Sequence, residues 1–152
     1  MKCRIGTTTG YFEQANQMNL DEARKFGFVP DAFVCAGDVP QGRPTPWMIF
    51  EVMKMTCTFP PAAVIKVDDT PPGLVAGRNA GVWTVGVAQT GNELGLSEDE
   101  VLGLSEQEYE SRLAQARTAL EAAGAHFVIN SVAEFQDILP QIEERLARGR
   151  MP

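Results

Sequence analysis

The sequence predicts an α/β fold, a three-layer α/β/α, Rossmann-like parallel sheet formed by residues 1–152 as a single domain. Three observations carry this. Short apolar segments rich in β-branched residues alternate with helix-length segments along the chain, the pattern of a parallel sheet covered on both faces. The run from Val64 to Ala88 reads as strand, loop, short helix and strand, and its first strand ends in adjacent carboxylates, Asp68 and Asp69. Loops rich in Gly, Thr, Pro and Arg follow the other strand candidates, where ligands bind in open parallel sheets.

The elements follow in order. Residues 2–8 form a short strand candidate that runs into Thr7-Thr-Thr-Gly10. Over residues 12–26, Phe12, Ala15, Met18, Ala23 and Phe26 give an imperfect apolar stripe, a weak helical signal, and Gly27 is a C-cap candidate. Residues 32–36 read as a second buried strand, and the breaker-rich loop 37–46 follows. A helix is expected over 47–55, with Trp47, Phe50 and Met53 on its buried face, Thr45 as N-cap and Pro46 at the first helical position. Strands are expected at 64–68 and 82–88, with a helical turn between them closed by Asn79-Ala-Gly81. Ser97-Glu-Asp-Glu100 has the composition of a capped helix start. The longest helix, 106–123, places Tyr109, Leu113, Ala116 and Leu120 on one side, and Gly124 ends it. A last strand at 126–130 leads through Ser131 into an amphipathic helix carrying Val132, Phe135, Ile138, Leu139, Ile142 and Leu146, which Pro140 kinks or splits.

The bulk composition narrows the function classes. A chain of 152 residues buries about 70% of its unfolded surface, enough for one core. Net charge of −7 argues against nonspecific nucleic-acid binding, which needs a basic face. No apolar run reaches the ~20 residues of a membrane span and no secretory signal opens the sequence. Cys3, Cys35 and Cys57 have no metal-ligand spacing, so reduced thiols and a cytoplasmic location are expected.

Three loops share the carboxyl edge of the expected sheet. Thr7-Thr-Thr-Gly10 offers hydroxyls and main-chain N–H groups for an anion, with helix capping by a threonine as the bland alternative. Gly42-Arg-Pro44 presents Arg43, suited to bidentate phosphate or carboxylate recognition or else a solvated surface residue. Asp68-Asp-Thr70 suits Mg²⁺, or else Asx-turn and N-cap work before Pro71 and Pro72. Together they describe a phosphoryl-transfer site better than three independent accidents do. Lys66 shares a strand face with Asp68 and either pairs with a carboxylate or sits at the sheet edge, and His126 and the methionines 48, 53 and 55 with Trp47 are read as structural.

Gly6-Thr-Thr-Thr-Gly-Tyr11, Asp38-Val-Pro-Gln-Gly-Arg-Pro-Thr-Pro-Trp-Met48, Ile65-Lys-Val-Asp-Asp69, Gly77-Arg-Asn-Ala-Gly-Val-Trp-Thr-Val-Gly-Val87 and Gly124-Ala-His-Phe127 closely resemble the phosphonoacetaldehyde hydrolase (phosphonatase) family of the haloacid dehalogenase superfamily. The resemblance spans nearly the whole chain. It implies a Mg²⁺-dependent hydrolase acting on phosphonoacetaldehyde, in which an aspartate attacks phosphorus and a cap-domain lysine forms a Schiff base with the aldehyde. It assigns Thr9 and Gly10 to phosphate binding, Arg43 to the phosphate clamp, and Asp69 with Asp68 to the metal. Gly73 stands where many relatives carry a further aspartate.

No Asp-x-x-Gly-Thr nucleophile loop precedes Gly6 and no cap lysine is present, so the resemblance implies the C-terminal core portion of such an enzyme. Little or no hydrolase activity is expected of the chain alone. Alternatives are one half of a split enzyme, or a noncatalytic phosphate-binding or interaction module; the partners expected are a small phosphorylated or phosphonate ligand and either a second copy or a complementing N-terminal chain. The absent first strand would lie between residues 2–8 and 64–68. Two unpaired edges would be left, so either those strands close up and pair or another chain covers the gap. A lone monomer that keeps its cleft open would contradict both.

Overall fold

The computed structural model describes residues 3–152, so the start of the first strand at Lys2 lies outside them. The chain runs β1 (Gly6–Thr9), α1 (Glu13–Lys25), β2 (Ala32–Cys35), α2 (Trp47–Met55), β3 (Ile65–Asp68), α3 (Pro71–Ala80), β4 (Trp83–Val87), α4 (Glu98–Leu102), α5 (Glu106–Ala122), β5 (Phe127–Ile129) and α6 (Phe135–Ala147), with short 3₁₀ turns after β2 and before β3 and α6. Every strand pair is parallel: β1 with β2, β3 with β4, and β4 with β5. The alternation of strands and helices along the sequence dictates this, since parallel neighbours need a crossover connection.

Side-chain alternation along each strand sets the layers. Trp83, Val85 and Val87 point to α6, where they pack with Phe127, Ile129, Ile138 and Ile142. The opposite face of β4 and β5 meets Leu74 of α3 and Leu113, Ala116 and Leu120 of α5. On that same side Ile49 and Met53 of α2 pack with Ala76 and Ala80 of α3. On the other side, Asn16 of α1 donates to Cys35 Sγ of β2 at 3.3 Å. The three-layer α/β/α arrangement expected from the sequence is present.

The sheet is split. β1–β2 and β3–β4–β5 form separate sheets, and among the described residues β1 and β3 do not pair with each other. Direct closure of the two edges, one of the two expected remedies, does not occur. The halves are held together by α2 against α3 and by Lys66 Nζ donating to Thr8 Oγ1 at 2.8 Å.

Several local expectations are corrected. The apolar stripe of α1 does not face the core: Phe12, Met18 and Phe26 are exposed, and Leu20 and Asn16 are the buried residues. Three apolar residues in that stripe fall at spacings that wander around the helix, so tertiary packing selected a different face. On α2, Trp47, Phe50 and Met55 are exposed and stack outward as a Trp47–Phe50 edge pair, while Met48, Ile49 and Met53 are buried. Thr45 does not cap α2; its hydroxyl donates back to the carbonyls of Gln41 and Gly42, and Pro46 is the N-cap residue. Pro71 and Pro72 open α3 behind Thr70 as N-cap, its Oγ1 accepting from Gly73 N–H, the capping given above as the alternative for this loop. Pro140 lies within α6 without splitting it. Gly27 ends α1 and Gly81 closes α3 at φ 70°, a left-handed conformation that glycine adopts without a Cβ penalty. Ser97 with Glu100 and Ser105 with Glu108 form reciprocal capping boxes at α4 and α5.

His126 sits at the N-terminal end of the sheet, remote from the carboxyl edge. Its Nδ1 accepts from the Thr84 N–H at 3.0 Å and lies 2.7 Å from Thr84 Oγ1, while Nε2 meets the Arg78 guanidinium. Burial, followed by the positive charges of Arg78 and Arg145, lowers its pKa from 6.5 to about 4. The folded state thus favours the neutral ring, and the stability it contributes is complete above pH 6.5 and is lost as pH falls toward 4. The ring is half-buried, so its share stays below the limit of about 1.4 kcal/mol per pH unit for one proton. Thermal midpoints are expected to fall between pH 7 and 4.5, with a shallower slope in His126→Gln. Equal slopes in both proteins would remove His126 as the cause.

Candidate phosphate site

The three carboxyl-edge loops converge. A cavity of about 620 Å³ lies between β1 and β3, lined by residues 6–11, Arg43, residues 66–70 and Asn92. Thr9, Gly10, Arg43, Asp68 and Asp69 all border it. The topology accounts for this, because parallel strands deliver the loops after β1, β2 and β3 to one edge.

At its centre is a charged cluster. Lys66 Nζ contacts Asp68 Oδ2 at 2.9 Å and Arg43 Nη1 approaches the same oxygen at 3.6 Å. Asp68 Oδ1 accepts from Thr70 N–H at 3.0 Å and from Thr70 Oγ1 at 2.7 Å. Burial pushes the Asp68 carboxyl up, but the charge and hydrogen bond of Lys66, the bond from Thr70 and the charge of Arg43 outweigh it and hold the pKa below the ordinary value. Asp68 is therefore an anion already seated among cations.

Gly73 explains how Asp68 fits there. A Cβ at Gly73 would lie 2.1–2.2 Å from the carboxyl atoms of Asp68, so only glycine leaves room. A Cβ at Gly10 would stand 3.1 Å from Arg43 Nη2, a tight approach that a small shift of the guanidinium relieves. The Arg43 loop contains a cis Arg43–Pro44 bond and is anchored to α3 by Asn79 Nδ2 donating to Pro44 O at 2.8 Å.

The remaining site residues have distinct surroundings. Thr9 Oγ1 accepts from Tyr11 N–H at 3.1 Å, so it organises the loop as well as lining the cavity. Asp69 Oδ2 accepts from Asn92 N–H at 3.0 Å. The two aspartates thus differ in commitment: Asp68 is taken up by Lys66, Arg43 and Thr70, whereas Asp69 has no cation partner among the described residues. No group of three or more His, Cys, Asp or Glu side chains suited to a metal occurs among the described residues. To contact a metal, Asp68 would have to give up Lys66, Arg43 and Thr70, whereas Asp69 carries one main-chain hydrogen bond. Lys66 enters this site more centrally than its sequence position suggested. Its period-two spacing from Asp68 was the available signal.

No family model matches the chain. A phosphonoacetaldehyde hydrolase of Paraburkholderia phytofirmans is 45% identical over 149 residues, covering 98% of this chain and 56% of the relative. This chain is similar to part of a phosphonoacetaldehyde hydrolase. A phosphonoacetaldehyde hydrolase-like protein of Syntrophobacter fumaroxidans is 40% identical, with 98% of this chain and 54% of the relative covered. The crystal structure of a phosphonoacetaldehyde hydrolase-like protein from Oleispira antarctica superimposes with a TM-score of 0.94 at 40% identity, over 98% of this chain and 54% of that one. A haloacid dehalogenase-like protein of Agrobacterium tumefaciens, 18% identical with a TM-score of 0.60, shares the fold over 90% of this chain and 53% of its own. The chain spans about half the length of the curated relatives it matches. Among the described residues no helix is long and apolar enough to cross a membrane.

Proposed function

We propose that residues 1–152 form the phosphoryl-binding core portion of a phosphonoacetaldehyde hydrolase-like enzyme, a single domain that binds a phosphate or phosphonate group in the cavity between β1 and β3. The observation that carries this reading is the meeting of Arg43, Lys66, Thr8, Thr9 and Gly10 around one cavity at the carboxyl edge of parallel strands. A phosphoryl group there would receive charge-assisted bonds from Arg43 and neutral ones from threonine hydroxyls and loop N–H groups. Asp69 is the residue that would contact Mg²⁺, which takes one or two carboxylates with waters and phosphate oxygens. The ion would neutralise charge on the phosphoryl oxygens. Asp68 serves instead to hold Lys66 toward the cavity.

Hydrolysis of phosphonoacetaldehyde breaks its C–P bond, adding water to give acetaldehyde and phosphate. It needs a nucleophile for phosphorus and an amine for the aldehyde. Among the cavity's candidates Asp68 is held by Lys66, Arg43 and Thr70, Lys66 by Asp68 and Thr8, and Asp69 is the residue assigned to Mg²⁺. The 152-residue chain alone is therefore expected to bind inorganic phosphate and to release none from phosphonoacetaldehyde in the presence of Mg²⁺. Calorimetry reads the first and a phosphate-release assay the second. Metal-dependent turnover by the purified chain would overturn the inactivity, and absence of phosphate binding would overturn the site.

A further inference from the structure

The edge of the sheet where β4 and β5 begin carries a second group of cationic and donor side chains, none of which lines the cavity between β1 and β3. Thr84 and His126 meet there as ladder neighbours, with His126 N–H donating to Thr84 O at 2.9 Å. α3 and α6, packed on opposite faces of the sheet, add Arg78 and Arg145. Each side chain is held in position. The His126 ring lies edge-on to Trp83 with 5.0 Å between centroids. The Arg78 stem runs over Gly124, where a Cβ would stand 2.9 Å from its Cγ. Arg145 Cζ lies 4.2 Å from the centroid of the Phe127 ring, a cation–π contact.

Two imbalances mark this group. The first is charge. The ion pairs among the described residues include neither Arg78 nor Arg145, although the chain carries a net charge of −7. The second is hydrogen bonding. Thr84 is fully buried and its main-chain N–H donates to His126 Nδ1 at 3.0 Å. A buried main-chain donor is costly to leave unpaired, so Nδ1 is kept as an acceptor. The Thr84 hydroxyl, 2.7 Å from Nδ1 and 2.8 Å from Gly124 O, turns its proton to either. Burial and the two guanidinium charges keep the ring neutral at neutral pH. Its single proton then sits on Nε2, the atom that meets the Arg78 guanidinium. A guanidinium has no acceptor, so two donors face each other.

We infer that this edge binds an oxyanion, a sulfate- or carboxylate-type group that bridges the Arg78 guanidinium and His126 Nε2–H, with Arg145 adding its charge. Such a group supplies what the cluster lacks, negative charge and acceptors for both facing donors, and the guanidinium fork suits two oxygens at once. Arg78 is exposed, so its guanidinium can withdraw from the ring to admit the anion while its stem stays on Gly124.

His126 is the only histidine of the chain, so its ring resonances report on this site alone. Long-range proton–nitrogen NMR at neutral pH, in buffer free of oxyanions, is expected to show the Nε2–H tautomer. Sulfate and acetate are then titrated separately, with chloride at equal ionic strength as the reference. A saturable shift of the His126 ring in the millimolar range is expected; saturation by sulfate assigns free inorganic anions and saturation by acetate assigns carboxylates. Arg78→Gln should weaken the affinity about 10- to 100-fold, the worth of a hydrogen bond to a charged group. Arg78→Lys keeps the stem and the charge without the fork; it should weaken binding several-fold, and it replaces Arg78→Gln where that variant does not fold. The Nδ1–H tautomer, a response that chloride reproduces, saturation by neither anion, or an affinity unchanged in the folded Arg78 variant overturns the inference. The titration is repeated in Arg43→Ala, where the His126 response should be unchanged. Loss of the response there would trace it to the cavity between β1 and β3 and equally overturn a separate site, whereas failure of phosphate binding in that cavity leaves the His126 readout intact.

Discussion

Gly73→Ala is expected to lower the thermal midpoint by roughly 6–12 °C, about 3 kcal/mol for a domain of this size. The methyl group would enter the space of the Asp68 carboxylate, at 2.1–2.2 Å from its atoms. A carboxylate cannot yield by a few tenths of an ångström when Lys66 and Thr70 hold it at 2.9 and 2.7 Å. It must leave, and Lys66, whose side chain is 13% exposed, then loses its counter-charge. Overpacking of this kind costs about 1–3 kcal/mol, and stripping a partner from a buried pair costs more. Gly73→Asp should be worse, since it adds a second negative charge. Differential scanning calorimetry decides the matter: a midpoint within 2 °C of the parent would show that α3 shifts away freely. The same contact gives a physical account of the glycine at a position where relatives by resemblance carry aspartate. Asp68 already supplies a carboxylate to that space.

Arg43→Ala is expected to weaken inorganic phosphate binding about 30-fold, equivalent to about 2 kcal/mol, the worth of a hydrogen bond to a charged group. The guanidinium is 25% exposed and its contacts to Asp68 and Thr70 are long, 3.6 and 3.5 Å. It is thus positioned by its loop rather than by strong bonds, and is available to an incoming anion. Arg43→Lys should recover only part of the affinity, because a lysine cannot present two parallel donors. The thermal midpoint should change little in either variant. Calorimetric titration with phosphate reads the result, and an affinity unchanged in Arg43→Ala would remove this residue from the site.

Much of the architecture was readable because strand and helix periods are strong where packing agrees with them. α5 is the clearest case, with Leu113, Ala116 and Leu120 buried as spaced. The serine–glutamate capping at residues 97–100 also followed from the sequence, since the chemistry is local. α1 was misread because its apolar residues do not lie on the face that meets the sheet. Thr45 was misread because a hydroxyl beside two free carbonyls has local partners other than a helix end. The convergence of Thr9, Gly10, Arg43, Asp68 and Asp69 followed from topology alone. The engagement of Asp68 by Lys66 and Arg43 did not, because it depends on a close approach to Gly73 that only the folded chain displays.

The division of the sheet also bears on how cooperatively the molecule holds its shape. Most of the buried apolar residues belong to the β3–β5 unit and its helices, whereas α1 contributes only Leu20 and Asn16 as buried residues to the β1–β2 unit. The two units therefore differ in local stability and share no strand ladder. Thr9 and Gly10 stand on the weaker unit and Lys66 and Asp68 on the stronger. An anion bound between them is held only when both are folded, so its binding free energy adds to the coupling of the halves. Ligand occupancy would then act as a fastener, turning two loosely joined folding units into one.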